Sequence, residues 1–198
     1  MPANERIADP SDDPASSIIG RAPKTVFPGL EIDLDVEDDS LGLVYEPLCE
    51  SLCCALFQAE GFSPDIVGEL YIQIVDNDVM QTLNRDHRGK DKPTNVLSFQ
   101  AIETEDLDQA LALAATGGPP LMLGDIIVAA PMVLAEAMEQ EKLPVHHFSH
   151  LLIHGLLHLL GHDHMEDEEA EVMENKERVV LAGLGIDDPY ATEKSDGG

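Results

Sequence analysis

The feature that most constrains the fold is the long apolar segment from Pro144 to Leu160. A proline at its start suits the first turn of a helix. Leucines then occupy nearly every side of the segment. A helix that is apolar around most of its circumference has to be buried. The sequence therefore predicts a central helix with other elements packed around it.

Shorter segments on the amino-terminal side of this helix predict a small sheet. Residues 30–36 alternate apolar and acidic side chains, and residues 68–75 alternate again, which is typical of strands with one solvent-facing side. Further strands are predicted over 95–101 and 123–129, and helical spacing over 46–60, 76–89, 131–142 and 166–184. The predicted fold class is α/β (α+β), with a small mixed β-sheet packed with helices.

The length of 198 residues predicts one domain with a tail. Residues 1–28 are rich in Pro, Ser, Asp and Ala without periodicity, which predicts a disordered acidic tail. Residues 29–198 would then form the single domain. Within it, residues 103–120 are acidic, then alanine-rich, then close on Gly-Gly-Pro-Pro, which predicts a mobile surface insertion with one or two helical turns.

Charge and cysteine content restrict the class of protein. Three cysteines crowded into residues 49–54 argue against a disulfide framework and for packing inside a helix. Without a signal peptide or a run of about 18 apolar residues, we expect a cytoplasmic protein that does not use a membrane. The net charge of −28 opposes binding to nucleic acid. Four of the eleven basic residues nevertheless fall within residues 85–92, which indicates either a cationic patch or a solvated loop.

The most informative motif combines three histidines near the end of the central helix. His154 and His158 are one turn apart, so both imidazoles project from one face. Gly161 suits a left-handed helix end, after which the chain can bring His164 back toward the other two. Three imidazoles leave a fourth position open, which is the coordination of a catalytic zinc ion. Such an ion lowers the pKa of bound water to about 7.

Neighbouring polar residues leave alternatives open. His162 could replace His164 as a ligand, although we favour His164 because of its longer reach after the turn. His150 lies one turn before His154 and is either a partner of a ligand or a core residue. His146 and His147 are predicted at the surface, at the start of the helix. Asp163 either orients a ligand or caps a turn.

The histidine spacing matches the zinc-protease pattern H-E-x-x-H-x-x-G-x-x-H with one difference: Gly155 replaces the glutamate that acts as general base. A phosphodiester depends less on that carboxylate, because its charged oxygens bind zinc directly and a nearby cation can hold developing charge. The planar guanidinium of an arginine suits phosphate. The basic window could supply that cation.

Three segments, 88–99 (R-G-K-D-K-P-T-N-V-L-S-F), 123–126 (L-G-D-I) and 154–164, resemble the signature blocks of the YbeY family. Its members are rRNA maturation factors described as single-strand-specific, zinc-dependent endoribonucleases. The resemblance covers about residues 30–190. It implies an α/β fold, one zinc ion on His154, His158 and His164, and Arg88 as the functional arginine beside them in the catalytic set. It also implies a role at the 3′ end of small-subunit rRNA and in ribosome quality control, with small-subunit ribosomal proteins as partners.

The chain departs from the family pattern in two places within the motifs. His162 stands where tyrosine is usual, and Gln100 stands where proline is common. We expect a nuclease that acts on rRNA precursors, and two alternative functions remain open. One is a non-enzymatic ribosome assembly factor with a zinc site, and the other is a zinc peptidase that lacks the usual glutamate.

Overall fold

The computed structural model describes residues 13–24, 26–163 and 166–191. The four strands in these residues are β1 (Gly29–Val36), β2 (Val67–Val75), β3 (Val96–Gln100) and β4 (Leu121–Ala129). The seven helices in these residues are α1 (Pro14–Arg21), α2 (Tyr45–Ala59), α3 (Asn77–Arg88), α4 (Thr104–Ala114), α5 (Ala130–Glu139), α6 (Pro144–Leu159) and α7 (Asp167–Gly183).

The strands form one mixed sheet in the order β1-β2-β4-β3. β1, β2 and β4 are parallel, and β3 pairs antiparallel with β4 at the edge. The parallel strands are joined through helices, as crossover connections require. This mixed sheet packed with helices confirms the predicted fold class.

Helix α6 is the buried central element that its composition predicts. Leu152, Ile153, Leu156 and Leu157 are each at most 1% exposed. The helix contacts β3 and β4 on one side and α2, α5 and α7 around the rest of its circumference. Its apolar residues therefore find partners in most directions, and the remaining side of the helix carries four partly buried histidines, His146, His150, His154 and His158.

The end of α6 is fixed by a glycine in the left-handed region. Gly161 has a φ of 81°, and the His162 amide donates to the Leu157 carbonyl at 3.0 Å. A Cβ at Gly161 would lie 2.7 Å from Thr104 Cγ2, so both conformation and space favour glycine. The chain turns back directly beside His158 as a result.

The opposite face of the sheet is only half covered. Val75, Leu97 and Ile127 lie in a second, smaller core with Met80 of α3, and Met132 of α5 packs against it. Toward the other end of the same face the strands carry acidic side chains. In the register, Glu31 is opposite Glu69 and Tyr71 is opposite Asp125. One face is thus a core, and the other is partly an acidic surface.

Two expectations about chain organisation need correction. Residues 14–21, predicted within the disordered tail, form helix α1, whose Ala15 and Ile18 are 3% and 1% exposed. Residues 103–120 contain an eleven-residue helix rather than one or two turns, and its Leu107 and Ala114 are buried. Both segments bury only two side chains, too few to give a clear periodicity. Residues 1–12 and 25 of the predicted tail lie outside the described residues.

The cysteines pack as predicted. Cys49 and Cys53 of α2 are buried and Cys54 is half-buried, and all three are free thiols. Burial raises the pKa of the Cys49 thiol to about 12, so it is inert at neutral pH. Within the described residues, no helix has the length and apolarity needed to cross a membrane.

Candidate metal centre and active-site cleft

The site is built around two imidazoles on the last two turns of α6. His154 and His158 are four residues apart, so their rings lie on the same face, with centroids 4.6 Å apart and planes at 87°. The two Nε2 atoms are 3.1 Å apart. Both side chains are partly exposed, although the helix around them is buried. The sequence prediction that these two residues converge therefore agrees with their placement.

The other nitrogen of each ring faces an oxygen. His154 Nδ1 lies 2.8 Å from Glu177 Oε1 of α7, and His158 Nδ1 lies 2.9 Å from the His162 carbonyl oxygen. A carboxylate or carbonyl oxygen can only accept here, so each Nδ1–H must donate. In the neutral imidazole, the Nε2 atom then carries the lone pair. Both lone pairs are directed toward the same region.

This donor set suits a metal ion. Two neutral Nε2 acceptors at 3.1 Å repel each other unless a cation lies close to both. Zn–N bonds of about 2.05 Å at a tetrahedral angle place two nitrogens about 3.3 Å apart, close to the observed separation. Fixing the tautomer through an oxygen on Nδ1 is also the usual arrangement around metal-binding histidines. The two residues therefore fit the predicted zinc ion.

The third predicted ligand, His164, lies outside the described residues, and its role stays a prediction. Among residues 13–24, 26–163 and 166–191, no three His, Cys, Asp or Glu side chains converge as a metal site. His162, the alternative ligand, therefore does not complete a set with His154 and His158. Its Nε2 lies 3.6 Å from Glu60 Oε2, and Glu60 also pairs with Lys176. His162 contacts His158 through its backbone carbonyl, a role that no sequence pattern indicates.

Glu177 is the buried carboxylate behind the site. It is fully buried and accepts hydrogen bonds from His154 Nδ1, from His150 Nε2 at 3.1 Å and from the Tyr190 hydroxyl. Burial alone would raise the pKa of this carboxyl, but the bonds from His150, His154 and Tyr190 lower it to about 2. Glu177 is therefore ionised. His150, for which the sequence left two roles open, thus binds the same carboxylate that holds His154, the predicted ligand.

His147 corrects a sequence prediction. It was expected at the surface, but it is 4% exposed, and its Nε2 lies 2.8 Å from Glu136 Oε2 of α5. The Asn95 amide donates to the same carboxylate at 3.0 Å. The pKa of Glu136 is lowered, chiefly by the hydrogen bond from His147. This network joins the loop before β3 to α5 and α6.

Arg88 occupies the last turn of α3, where a cation suits the helix dipole. The next residue, Gly89, ends the helix with a φ of 67°. The loop that follows is held by buried Asn84, whose amide donates to the Lys92 carbonyl at 2.7 Å. Among the described residues, no ion pair involves Arg88, Lys90 or Lys92. These three side chains are exposed, whereas Arg85 of the same window is paired with Asp86 at 2.9 Å.

A cleft of about 340 Å³ brings the two halves of the predicted site together. Its walls include Arg88 from α3, Ser98 from β3, His158 from α6, and His162 and Asp163 from the turn after α6. Arg88 and His158 are 70 positions apart in the chain, and the antiparallel edge strand β3 contributes Ser98 to the same cleft. A ligand bound at His158 would therefore lie beside the cleft that the Arg88 guanidinium also lines.

Gly155 shows why no glutamate follows the first histidine. It is buried, and a Cβ there would lie 3.0 Å from Ser98 Oγ and 3.2 Å from Ile126 Cγ2. The position is directed at β3 and β4, against which α6 packs. A longer side chain would separate the helix from the sheet. This packing argues against the zinc-peptidase alternative.

A larger cleft of about 480 Å³ lies on the open face of the sheet. Four carboxylates line it, those of Glu31, Asp33, Glu69 and Asp125. A phosphodiester would be repelled by these charges. The smaller cleft beside Arg88 is therefore the candidate for an anionic substrate, even though it is not the largest.

Comparison with known proteins gives consistent matches. The family model described as Endoribonuclease YbeY matches residues 34–185. A curated protein named Endoribonuclease YbeY from Paramagnetospirillum magneticum is 53% identical over 130 residues, 66% of this chain and 76% of that protein. Another of that name, from Azorhizobium caulinodans, is 43% identical over 164 residues, covering 82% of this chain and 97% of that protein.

Among solved structures, a solution structure of a Thermotoga maritima protein matches 82% of this chain and all of that chain, with 23% identity and a TM-score of 0.47. The family assignment rests on the sequence matches. The residues matched by the family model include the basic window at 85–92 and the two histidines of the site, His154 and His158. The chain therefore belongs to the Endoribonuclease YbeY family, a family of RNA-cleaving hydrolases.

Proposed function

We propose that this chain is a zinc-dependent, single-strand-specific endoribonuclease of the cytoplasm that matures the 3′ end of small-subunit rRNA and acts in ribosome quality control. Family membership supports the endoribonuclease class. The observation that carries the proposal is the convergence of the His154 and His158 Nε2 atoms, 3.1 Å apart, beside the cleft that Arg88 lines. Single-strand preference and the rRNA substrate follow the family resemblance.

We assign one zinc ion to His154, His158 and His164. When bound, zinc would supply a Lewis acid for a phosphate oxygen and lower the pKa of a coordinated water to about 7. The contribution of the protein is orientation. Glu177 and the His162 carbonyl keep both described Nε2 atoms directed inward, so the ligands need no reorganisation when the metal binds.

Arg88 is the group that we assign to the phosphate. Its guanidinium can form two parallel hydrogen bonds to phosphate oxygens and hold the extra negative charge of the pentacoordinate transition state. Asn84 and the Gly89 turn fix the loop that follows it. Removing one such charge-stabilising donor from an enzyme commonly costs about 10²–10³ in kcat.

The net charge of −28 shapes how the substrate is reached. The exposed cations of residues 88–92 are local, whereas the open sheet face is acidic. We therefore infer that affinity for free RNA is low and that small-subunit ribosomal proteins or the ribosome deliver the substrate. A non-enzymatic assembly factor would share this docking, but it would not require Arg88 beside the imidazoles.

The test compares the wild type with Arg88→Ala, Arg85→Ala and His158→Ala on a labelled single-stranded RNA with zinc present. Arg85 is the matched control because it lies one turn earlier on α3, is paired with Asp86 at 2.9 Å and does not line the cleft. We expect Arg88→Ala and His158→Ala to lose about 100-fold or more in cleavage rate, and Arg85→Ala to stay within about threefold.

Equal cleavage by all four proteins would mean that the activity comes from a contaminant. Rescue of a deletion strain by a folded variant that binds no zinc would favour the assembly-factor alternative. Cleavage of casein that disappears in His154→Ala would revive the peptidase.

A further inference from the structure

The buried carboxylate of Glu177 does more than fill the core. Its side chain is fully buried on α7, a helix that lies beside α6. Removing a carboxylate from water is costly unless it is paired and hydrogen-bonded. Three donors converge on it, from His154, His150 and Tyr190. The fold therefore accepts a buried charge at one specific place, directly behind a predicted metal ligand.

The two oxygens of Glu177 have different partners. Oε1 accepts from His154 Nδ1 at 2.8 Å. Oε2 accepts from His150 Nε2 at 3.1 Å and from the Tyr190 hydroxyl. Because Oε2 is held by two groups, the carboxylate cannot rotate without breaking bonds. The direction of Oε1, and with it the plane of the His154 ring, is thereby fixed.

Tyr190 is itself held in place by the residues around it. Its amide donates to Asp188 Oδ1 at 2.9 Å, and the Arg178 guanidinium lies 4.9 Å from the ring centroid. The preceding Pro189 carbonyl accepts from Lys142 Nζ at 2.8 Å. The segment after α7 is thus bound to the loop between α5 and α6. Its tyrosine hydroxyl reaches the buried carboxylate behind the metal site.

The two predicted ligands His154 and His158 are oriented by different kinds of hydrogen bond. His158 relies on a backbone carbonyl of the turn after α6, which no side-chain substitution removes. His154 relies on a side chain 23 residues later in the chain. Of these two contacts, only the one between Glu177 and His154 can be removed by substituting a side chain.

We propose that Glu177 is the positioning residue for the metal ligand His154, and that Tyr190 acts through Glu177 by fixing its carboxylate. This rests on the proposed function in one respect, namely that His154 binds the metal. The carboxylate keeps the His154 proton on Nδ1 and raises the basicity of Nε2. The Gly185–Tyr190 segment thereby contributes to metal affinity without touching the metal.

The test is the affinity for Zn²⁺, measured by competition with a chromophoric chelator, and it contains no RNA. Glu177→Gln removes the charge and one acceptor while keeping the shape. Glu174→Gln is the matched control, because Glu174 lies one turn earlier, lines the same cavity near His154 and instead pairs with Arg178 at 2.8 Å. We expect about 10- to 100-fold weaker zinc binding in Glu177→Gln and a change below about twofold in Glu174→Gln.

A second readout reports on geometry. The visible absorption of the Co²⁺-loaded protein should change in Glu177→Gln and stay unchanged in Glu174→Gln, because only the former frees the His154 ring. Tyr190→Phe removes the hydroxyl alone, and we expect about 2- to 10-fold weaker zinc binding, the range for one lost hydrogen bond.

Wild-type zinc affinity in a folded Glu177→Gln, or an equal loss in Glu174→Gln, would overturn the proposal. If circular dichroism shows that Glu177→Gln does not fold, Tyr190→Phe decides, and unchanged affinity there overturns it. A wild type that binds no zinc also overturns it. A wild type that binds zinc but cleaves no RNA refutes the proposed function and leaves this proposal standing.

Discussion

Replacement of Gly155 by alanine tests whether the packing of α6 against the sheet excludes a side chain after the first histidine. Two effects oppose each other. Alanine is about 1 kcal/mol more favourable than glycine inside a helix. Its Cβ would lie 3.0 Å from Ser98 Oγ and 3.2 and 3.4 Å from Ile126 Cγ2 and Cδ1. These contacts are a few tenths of an ångström closer than ordinary packing.

The balance depends on whether the neighbours can move. Ser98 is half-buried on the edge strand and can change rotamer, but Ile126 is fully buried on a central strand and is stiff at χ1. Overpacking of this kind costs about 1–3 kcal/mol. After subtracting the helix gain, we expect Gly155→Ala to lower the free energy of unfolding by about 0–2 kcal/mol. For a domain of this size, each kilocalorie corresponds to about 2–4 °C in Tm.

The assay is urea unfolding followed by far-UV circular dichroism, with the metal removed by a chelator so that zinc linkage does not contribute. Gly183→Ala is the control, because Gly183 is exposed at the end of α7 and a Cβ there meets nothing within 4 Å. We expect it to be neutral or stabilising by up to about 1 kcal/mol. Equal stabilisation in both variants would refute the argument that β3 and β4 exclude a side chain at position 155.

Two further predictions concern pH and salt. The hydrogen bond with His147 lowers the pKa of Glu136 below the ordinary value of 4.5. The ionised carboxylate therefore stabilises the folded state at pH values above 4.5. This stabilisation is lost as the pH falls through the lower pKa of the folded state. The stability advantage of the wild type over Glu136→Gln, measured by urea unfolding between pH 6 and pH 3, should therefore shrink in acid; an advantage independent of pH would contradict this. Binding to free single-stranded RNA should be weak and salt-sensitive, with log K falling by about 2 per tenfold increase in salt if Arg88, Lys90 and Lys92 each contact a phosphate. Nanomolar affinity at physiological salt would show that the acidic envelope does not limit binding.

Local patterns in the sequence were sufficient for most of the fold. The alternation in residues 30–36 and 68–75 gave strands β1 and β2 within one residue of their ends, and Asp76 and Gly89 were predicted and observed as the two ends of α3. Helices α1 and the full length of α4 were missed, because each buries only two side chains. His147 was misplaced because its burial depends on Glu136 of the preceding helix.

The sequence by itself determined the residues that can do chemistry. Two histidines one turn apart on a helix share one face, and a helix predicted to end at Gly89 places Arg88 in its last turn, since both follow from local backbone geometry. Only the tertiary structure decided what surrounds them. The placement of Arg88 and His158 in one cleft, the direction of Gly155 toward Ile126, and the contact of Glu177 with His154 join positions far apart in the chain. Such contacts depend on how helices pack on the sheet, and no local periodicity encodes them.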